Sequence, residues 1–329
     1  MTKNILVAGG AGYIGSHVVR KLSEAGYTPI VFDNLSTGHF ESVKDNLFFE
    51  GDVRRAADLD LVFNNHKIDA VMHFCANSLV GESMEKPELY FDNNVIGGLQ
   101  LLKSMLKHNV KTIIFSSTCA TYGEPEIVPI TEQEKQEPTN PYGESKLMFE
   151  KMLKWFDHAH GIKSVCFRYF NAAGADDDGA IGEDHSPESH LIPIVFEVAN
   201  GQRDFISVFG DDYPTPDGTC VRDYIHVYDL AQAHILGLEY LFNGNESDAF
   251  NLGSGDGYSV NEIIANVEKE VGHEIGKKMT DRRSGDPAVL IGSSKKIKDK
   301  LGWEPQYTLS GIIKTAKKWH STNPDGYHE

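Results

Sequence analysis

Short apolar runs alternate with amphipathic stretches over the first half of the chain. Asn4-Ile5-Leu6-Val7-Ala8 is an unbroken run of β-formers, the pattern of a parallel strand buried on both faces. Similar runs predict strands at residues 29–32, 46–50, 69–74, 111–117 and 163–168. Between them, periodic stretches predict helices over 16–24, to about 65, over 88–109 and from 141 to about 160. The long helix over 88–109 is expected to face inward through Leu99, Leu102, Met105 and Leu106. Strands alternating with helices in this way make a Rossmann-type, doubly wound parallel sheet. After Tyr169-Phe170-Asn171 the pattern changes. Residues 172–190 are polar and rich in Gly and Asp, a loop of the length that is often functional. Beyond it the elements are mixed: helices near 192–200, 228–241, 260–271, 294–301 and 310–319, and strand-like runs at 205–209, 222–226 and 250–253. The expected division is a dinucleotide-binding domain over 1–171, with contributions from about 221–252, and a smaller mixed α/β substrate domain over 172–329.

Composition narrows the class. The chain has 329 residues, 40% of them hydrophobic and 24% charged, values of an ordinary globular protein. Its formal net charge is −17, from 31 basic and 48 acidic side chains. That argues against a nucleic-acid or anionic-membrane surface, either of which wants clustered Lys and Arg. The opening MTKNILVAGG runs straight into a strand, so no signal peptide is expected, and no apolar run approaches the ~18–20 residues that span a bilayer. Cys75, Cys119, Cys166 and Cys220 are widely spaced and form no CxxC, so reduced thiols in a cytoplasmic protein are expected.

The glycines after the first strand read as Gly10-x-Gly12-x-x-Gly15 or Gly9-x-x-Gly12-x-x-Gly15. In either register the missing side chains let backbone approach a pyrophosphate at a helix N-terminus. Asp33 ends the second strand, 18 residues after Gly15, where a carboxylate can accept from both adenosine ribose hydroxyls. No arginine follows in Asn34-Leu35-Ser36-Thr37-Gly38-His39 to balance a 2′-phosphate, so NAD is expected over NADP. Asp52 follows a strand end and could hold the adenine amine or cap the next helix. His73, inside an apolar strand, reads as a core histidine.

Ser116-Ser117-Thr118 places three hydroxyls at a strand's carboxyl end, where open α/β sheets bind ligands. Asn140-Pro141 starts a helix that carries Tyr142 and Lys146 four residues apart on one face. A free tyrosine is only ~0.1% phenolate at pH 7, and a shift of ~3 units needs roughly 4 kcal/mol. A nearby ammonium and a second positive charge, such as an oxidised nicotinamide, would supply it, which makes the pair a general base for an alcohol proton. His185 and His190 suggest a metal, but they lack the HExxH spacing and show no third ligand in the sequence, so no metal is expected.

Together, Gly9-x-x-Gly12-x-x-Gly15, Ser116-Ser117-Thr118, Tyr142-x-x-x-Lys146 and Arg168-Tyr169-Phe170-Asn171 resemble the extended short-chain dehydrogenase/reductase family. Val80-Gly81-Glu82-Ser83, Asp92-Asn93-Asn94-Val95, Asp211-Asp212-Tyr213-Pro214-Thr215 and Val221-Arg222-Asp223-Tyr224-Ile225-His226 resemble its NAD-dependent nucleotide-sugar epimerase branch. The resemblance implies C4 inversion between UDP-galactose and UDP-glucose through a 4-keto sugar. Thr118 would hydrogen-bond the reacting hydroxyl, Tyr142 take its proton, and Lys146 bind the nicotinamide ribose. Tyr13, Ile14, Asn34, Val53, Phe74, Ala76, Asn93, Ser116 and Phe170 would join the glycines, Asp33 and Asp52 around NAD. Asn171, His190, Leu191, Ser207, Phe209, Arg222, Arg283 and Asp286 would hold the UDP-sugar. Ser78 and His190 depart from the lysine and asparagine that some relatives carry, and bulky Leu290 disfavours N-acetylated sugars. A homodimer pairing the helices near 88–109 and 141–160 is implied as well. A dehydratase or decarboxylase of the same scaffold needs an acid after the hydroxyl, where Cys119 and Ala120 stand. A non-catalytic NAD sensor has no use for Thr118, Tyr142 and Lys146 together.

Overall fold

The computed structural model describes residues 2–283 and 287–327. Its centre is a seven-stranded sheet of β1 (Asn4–Ala8), β2 (Thr28–Asp33), β3 (Leu47–Glu50), β4 (Ala70–His73), β5 (Thr112–Ser116), β6 (Lys163–Tyr169) and β10 (Asp248–Leu252). The spatial order is β10-β6-β5-β4-β1-β2-β3, and every pairing is parallel. The order reverses between β1 and β4, which opens a crevice at the strands' carboxyl ends. One face of the sheet is covered by a core that includes Val7, Val18, Val31 and Leu230; the other by Leu6, Leu101, Leu102, Phe149 and Leu153. Burial on both faces is why these strands read as continuous apolar runs rather than alternating ones.

The remaining strands are β7 (Asn171–Ala173), β8 (Ile206–Phe209), β9 (Val221–His226), β11 (Gly257–Ser259), β12 (Lys277–Thr280) and β13 (Val289–Leu290). β9 pairs with β7, β11 and β13, and β8 pairs with β12. A third core gathers under helices Leu191–Ala199, Val260–Val271 and Leu309–Thr322.

Most helices lie within two residues of their expected bounds. The helix Val260–Val271 shows why: Ser259 and Glu262 form a capping box, and Gly272 ends it in the left-handed region. The expected helix over 88–109 is instead composite: an α-turn Pro87–Tyr90, a π-helical stretch Phe91–Gly97 and an α-helix Gly98–Lys107. Its inward stripe is centred on Leu101, Leu102 and Met105, while Leu106 is 36% exposed. Leu99 and Leu106, one heptad apart, form the margin of the buried stripe instead of its centre. The four cysteines are free; Cys166 and Cys220 are buried and the other two half-buried. No helix among the described residues is long and apolar enough to cross a membrane.

Candidate active site

The crevice between β1 and β4 is lined by Gly9, Gly12, Asp33, Asn34, Val53, Phe74, Ala76 and Asn93. The glycines are there for want of room. A Cβ on Gly15 would lie 2.1 Å from the Gly9 carbonyl oxygen, and one on Gly9 would lie 2.5 Å from the Cys75 nitrogen. Gly9 also has φ +80°, which favours glycine. The helix Tyr13–Glu24 therefore begins against the loop, and Gly12, which lines the crevice, is its N-cap with no side-chain cap, so the unpaired N–H groups of its first turn are available to an anion there. Asp33 is buried at the end of β2 and accepts from Ala11 N (3.0 Å) and Leu35 N (2.9 Å), one bond to each oxygen. Each oxygen keeps a lone pair for a hydroxyl donor. A phosphate-sized cradle at a helix N-terminus, next to a fixed carboxylate, fits a dinucleotide.

Asp52 answers the alternative left by the sequence. It caps nothing: the next helix, Ala56–Asn65, has Arg55 at its N-cap and no side-chain cap. Arg54 grips the Asp52 carboxylate instead, at 2.6 and 2.9 Å, and holds its pKa down to about 2. Tyr13 sends its hydroxyl to the Gly174 carbonyl (2.6 Å), so its side chain ties the crevice to the second half of the chain. Ile14 packs into the core beside it. His73 is a core histidine, stacked on Phe115 and edge-on to Phe149.

The candidate proton-handling groups sit one strand further along. Asn140 caps the helix Pro141–His160 by accepting from Gly143 N at 2.9 Å. That fixes Tyr142 and Lys146 on the first two turns, facing the end of β5. Lys146 is buried and donates from Nζ to the Ser116 carbonyl (2.8 Å), with Nζ 5.9 Å from the centre of the Tyr142 ring. Ser116 Oγ is taken by the Tyr169 hydroxyl, so Ser116 offers its carbonyl to Lys146 and its side chain to β6. Thr118 caps the short turn Cys119–Tyr122, accepting from Ala120 N at 3.1 Å.

Electrostatics departs from the expectation for the tyrosine. Burial pushes the Tyr142 phenol well above its ordinary value, Tyr169 adds to this, and a hydrogen bond with Thr118 opposes it. The same burial pushes Lys146 down to about 7. The chain alone therefore keeps the phenol protonated, and the lysine does not outweigh desolvation. A phenolate here needs the further positive charge that an oxidised nicotinamide carries.

Two supporting groups escaped the sequence reading. Buried Asn94 accepts from Asn77 N (2.9 Å) and donates to Ser145 Oγ (2.9 Å), joining the crevice wall to the helix that carries Tyr142 and Lys146. Buried Glu150 pairs with Arg168 at 2.6 and 3.0 Å and accepts from Ser117 Oγ at 2.5 Å. Asn94 lies in a quoted motif and Glu150 in none, and nothing in a sequence distinguishes a polar side chain that braces a site from one that faces solvent.

On the other side of the crevice, register assembles the remaining candidates. β9 sets Tyr224 opposite Asn171 and Arg222 opposite Leu290. Asn171 donates to the Asp223 carbonyl (2.9 Å), and Arg222 to the carbonyls of Val221 and Pro287 (2.9 and 2.8 Å). Arg222 also lowers the pKa of the Cys119 thiol, next to Thr118, against the larger upward push of burial. Phe170 packs over Gly292. Arg283 lies over the Phe209 ring, 3.9 Å from its centre, at the end of β8, which also carries half-buried Ser207. Half-buried Leu191 opens its helix, and His190 precedes it with Nδ1 2.6 Å from Glu183. Asp286 lies outside the described residues.

A family model described as the NAD dependent epimerase/dehydratase family matches residues 5–253. The chain belongs to that family. It is 56% identical to a UDP-glucose 4-epimerase of Halalkalibacterium halodurans over 324 residues, 98% of this chain and 97% of that one. Identity to a UDP-glucose 4-epimerase of Lacticaseibacillus casei is 54%, covering 98% of each chain. Among solved structures, it is similar to a UDP-glucose 4-epimerase at TM-score 0.97 and 54% identity, covering 99% of this chain and 100% of that one. The Bifidobacterium longum UDP-glucose 4-epimerase in complex with NAD+ and UDP matches at TM-score 0.94 and 40% identity, covering 99% and 100%.

Proposed function

We infer that the chain interconverts UDP-galactose and UDP-glucose by inversion at C4, with NAD bound. The observation that carries this is the placement of Tyr142, Lys146 and Thr118 at the carboxyl end of β5, beside a crevice shaped for a dinucleotide. Bound NAD supplies a hydride acceptor that returns the same hydride, so no net oxidation occurs. Every other task falls to the chain. Residues 1–171 with about 221–252 form the NAD domain, and 172–329 the UDP-sugar domain. Gly9, Gly12, Gly15 and the backbone of Tyr13 and Ile14 receive the pyrophosphate; Asp33 receives the adenosine ribose. Asn34, Asp52, Val53, Phe74, Ala76, Asn93, Ser116 and Phe170 shape the rest of the crevice.

Thr118 holds the 4-hydroxyl. Tyr142 removes its proton as the carbon loses hydride, and gives it back when hydride returns to the opposite face of the 4-keto sugar. Lys146, held by Ser116, places positive charge beside that phenol and binds the nicotinamide ribose. Arg222 and Arg283 suit a diphosphate, and Asn171, His190, Leu191, Ser207, Phe209 and Asp286 complete the nucleotide side. Firm grip on UDP lets the sugar swing while its handle stays fixed. Purified chain should convert UDP-galactose to UDP-glucose without added NAD+, and Tyr142→Phe should slow turnover by roughly 10²–10⁴-fold. Near-normal turnover of that variant, or a sugar product of altered mass, would reject the reading.

A homodimer is part of the proposal. Leu89 and Ile96 (39% and 49% exposed) and Met148 and Trp155 (39% and 70%) leave an apolar surface on the helical segments around 87–107 and 141–160. Sedimentation at micromolar concentration checks it. The free cysteines support a reducing, cytoplasmic setting.

A further inference from the structure

The loop before the helix Leu191–Ala199 brings together Glu183, His185, Glu188 and His190. One donor atom from each lies within 4.8 Å of all the others. His190 Nδ1 is 2.6 Å from Glu183 Oε1 and 3.5 Å from Glu188 Oε1. His185 Nδ1 is 3.5 Å from Glu183 Oε1 and 3.7 Å from Glu188 Oε2. Ligands bound at ~2.0–2.1 Å around a tetrahedral ion stand roughly 3.3 Å apart. The observed spacings bracket that value. Sequence spacing hid the site because Glu183 and Glu188 are common residue types that only the turn of the loop aims inward.

A second observation sets this cluster apart from ordinary ion pairing. His185 Nδ1 is buried and has no hydrogen-bond partner, while Glu183 Oε1, also buried, meets the His190 ring at 2.6 Å. The Glu183 side chain is only 4% exposed. His190 and Glu183 pair directly, but His185 Nδ1 stands 3.5 and 3.7 Å from the two carboxylates, long for a hydrogen bond; a buried ring nitrogen left so is costly unless a centre between the four groups satisfies it. Outer contacts hold the arrangement. Glu188 Oε1 accepts from Ser189 N (2.7 Å) and His190 N (2.8 Å), which turns Oε2 toward His185. The Glu183 carbonyl accepts from Trp319 Nε1 (2.9 Å), pinning the loop to the helix Leu309–Thr322.

We propose that Glu183, His185, Glu188 and His190 bind one divalent transition-metal ion of the zinc class as a structural clip. Two imidazoles favour such an ion over magnesium or calcium, which take oxygen shells. Two carboxylates with two neutral imidazoles balance its charge, and four protein ligands close the shell, as structural rather than catalytic sites do. The clip fixes the loop that leads into Leu191, and so one wall of the substrate side. His190 would reach the ion through Nδ1, which leaves its Nε2 for the nucleotide side, and the metal site stands independently of whether His190 or Leu191 touches substrate.

The test uses the full chain, stripped with EDTA and moved to metal-free buffer. Zn²⁺ is then titrated in competition with a chromophoric chelator, and Co²⁺ is added separately as a spectroscopic probe. One ion per chain is expected, with a Kd below about a micromolar and an intense, tetrahedral Co²⁺ visible spectrum. His185→Gln and, separately, Glu188→Gln should weaken Zn²⁺ binding by more than the ~10–100-fold that loss of a supporting contact costs. Their folding is checked by circular dichroism. Should either fail to fold, X-ray absorption at the zinc edge of the loaded wild-type chain decides: imidazole and oxygen scattering supports the site, and sulfur in the shell overturns it. Absence of stoichiometric uptake, or unchanged affinity in His185→Gln/His190→Gln, also overturns it. The first of these results would mean that protons alone bridge the cluster.

Discussion

The two sides of the crevice are built differently. The dinucleotide side rests on parallel strands buried on both faces, glycines with no space for a Cβ, and polar groups locked in pairs such as Glu150–Arg168. The sugar side rests on strands of two to six residues, with the exposed Arg283 guanidinium resting on a phenyl ring. The first is organised before any ligand arrives. The second keeps the Arg283 guanidinium near solvent, where the proposed site would offer it to a diphosphate. A site that must hold one partner throughout and let the other turn over has reason to divide its rigidity this way.

That contrast predicts where substitutions will be felt. Removing one partner of the buried pair, as in Arg168→Met, should cost about 3–5 kcal/mol because Glu150 is left as an uncompensated buried charge. Denaturant unfolding measures it, and a loss below about 1 kcal/mol would mean that the pair is not structural. Acid should act on the same side. Burial holds His234 neutral, with its pKa lowered from 6.5 to about 4. The folded state then binds fewer protons than the unfolded one between those values, so its contribution is intact above pH 6.5 and lost as pH falls toward 4. A lowering of that size corresponds to about 3 kcal/mol. His234→Phe should flatten the pH dependence of stability over that window, and an unchanged slope would place the acid sensitivity elsewhere.

Gly15→Ala should cost ~1–3 kcal/mol through the clash with the Gly9 carbonyl and should also weaken NAD retention. NAD released on denaturing the purified variant is the readout, and a full complement would break the argument for the glycines. The smallest expected effect lies on the sugar side. Arg283→Ala should raise KM for UDP-sugars roughly tenfold and leave the Tm unchanged. A fall in Tm of several degrees would erase the distinction between the two regions.

Local chemistry in the chain was enough to reveal the parallel sheet, the glycine turn, Asp33, and the Tyr142–Lys146 pair behind its Asn140-Pro141 start. Each of these depends on neighbours within a few residues: a buried strand must be apolar throughout, and a helix cap must stand next to its helix. The opposing wall is legible only with family resemblance, because Asn171, Arg222 and Leu290 meet through the pairings of β9 with β7 and β13, across gaps of dozens of residues. Strands as short as β13 carry no periodic signal of their own.

Sequence alone thus determined the fold class and pointed to the groups proposed to handle the proton, since backbone preference and side-chain chemistry are local properties. Tertiary structure decided what those groups experience. It raised the Tyr142 phenol where proximity to Lys146 had suggested lowering, gave Asp52 to Arg54, and turned Glu183 and Glu188 toward two histidines. Desolvation and convergence depend on which distant segments fold over a residue, and no linear pattern encodes that.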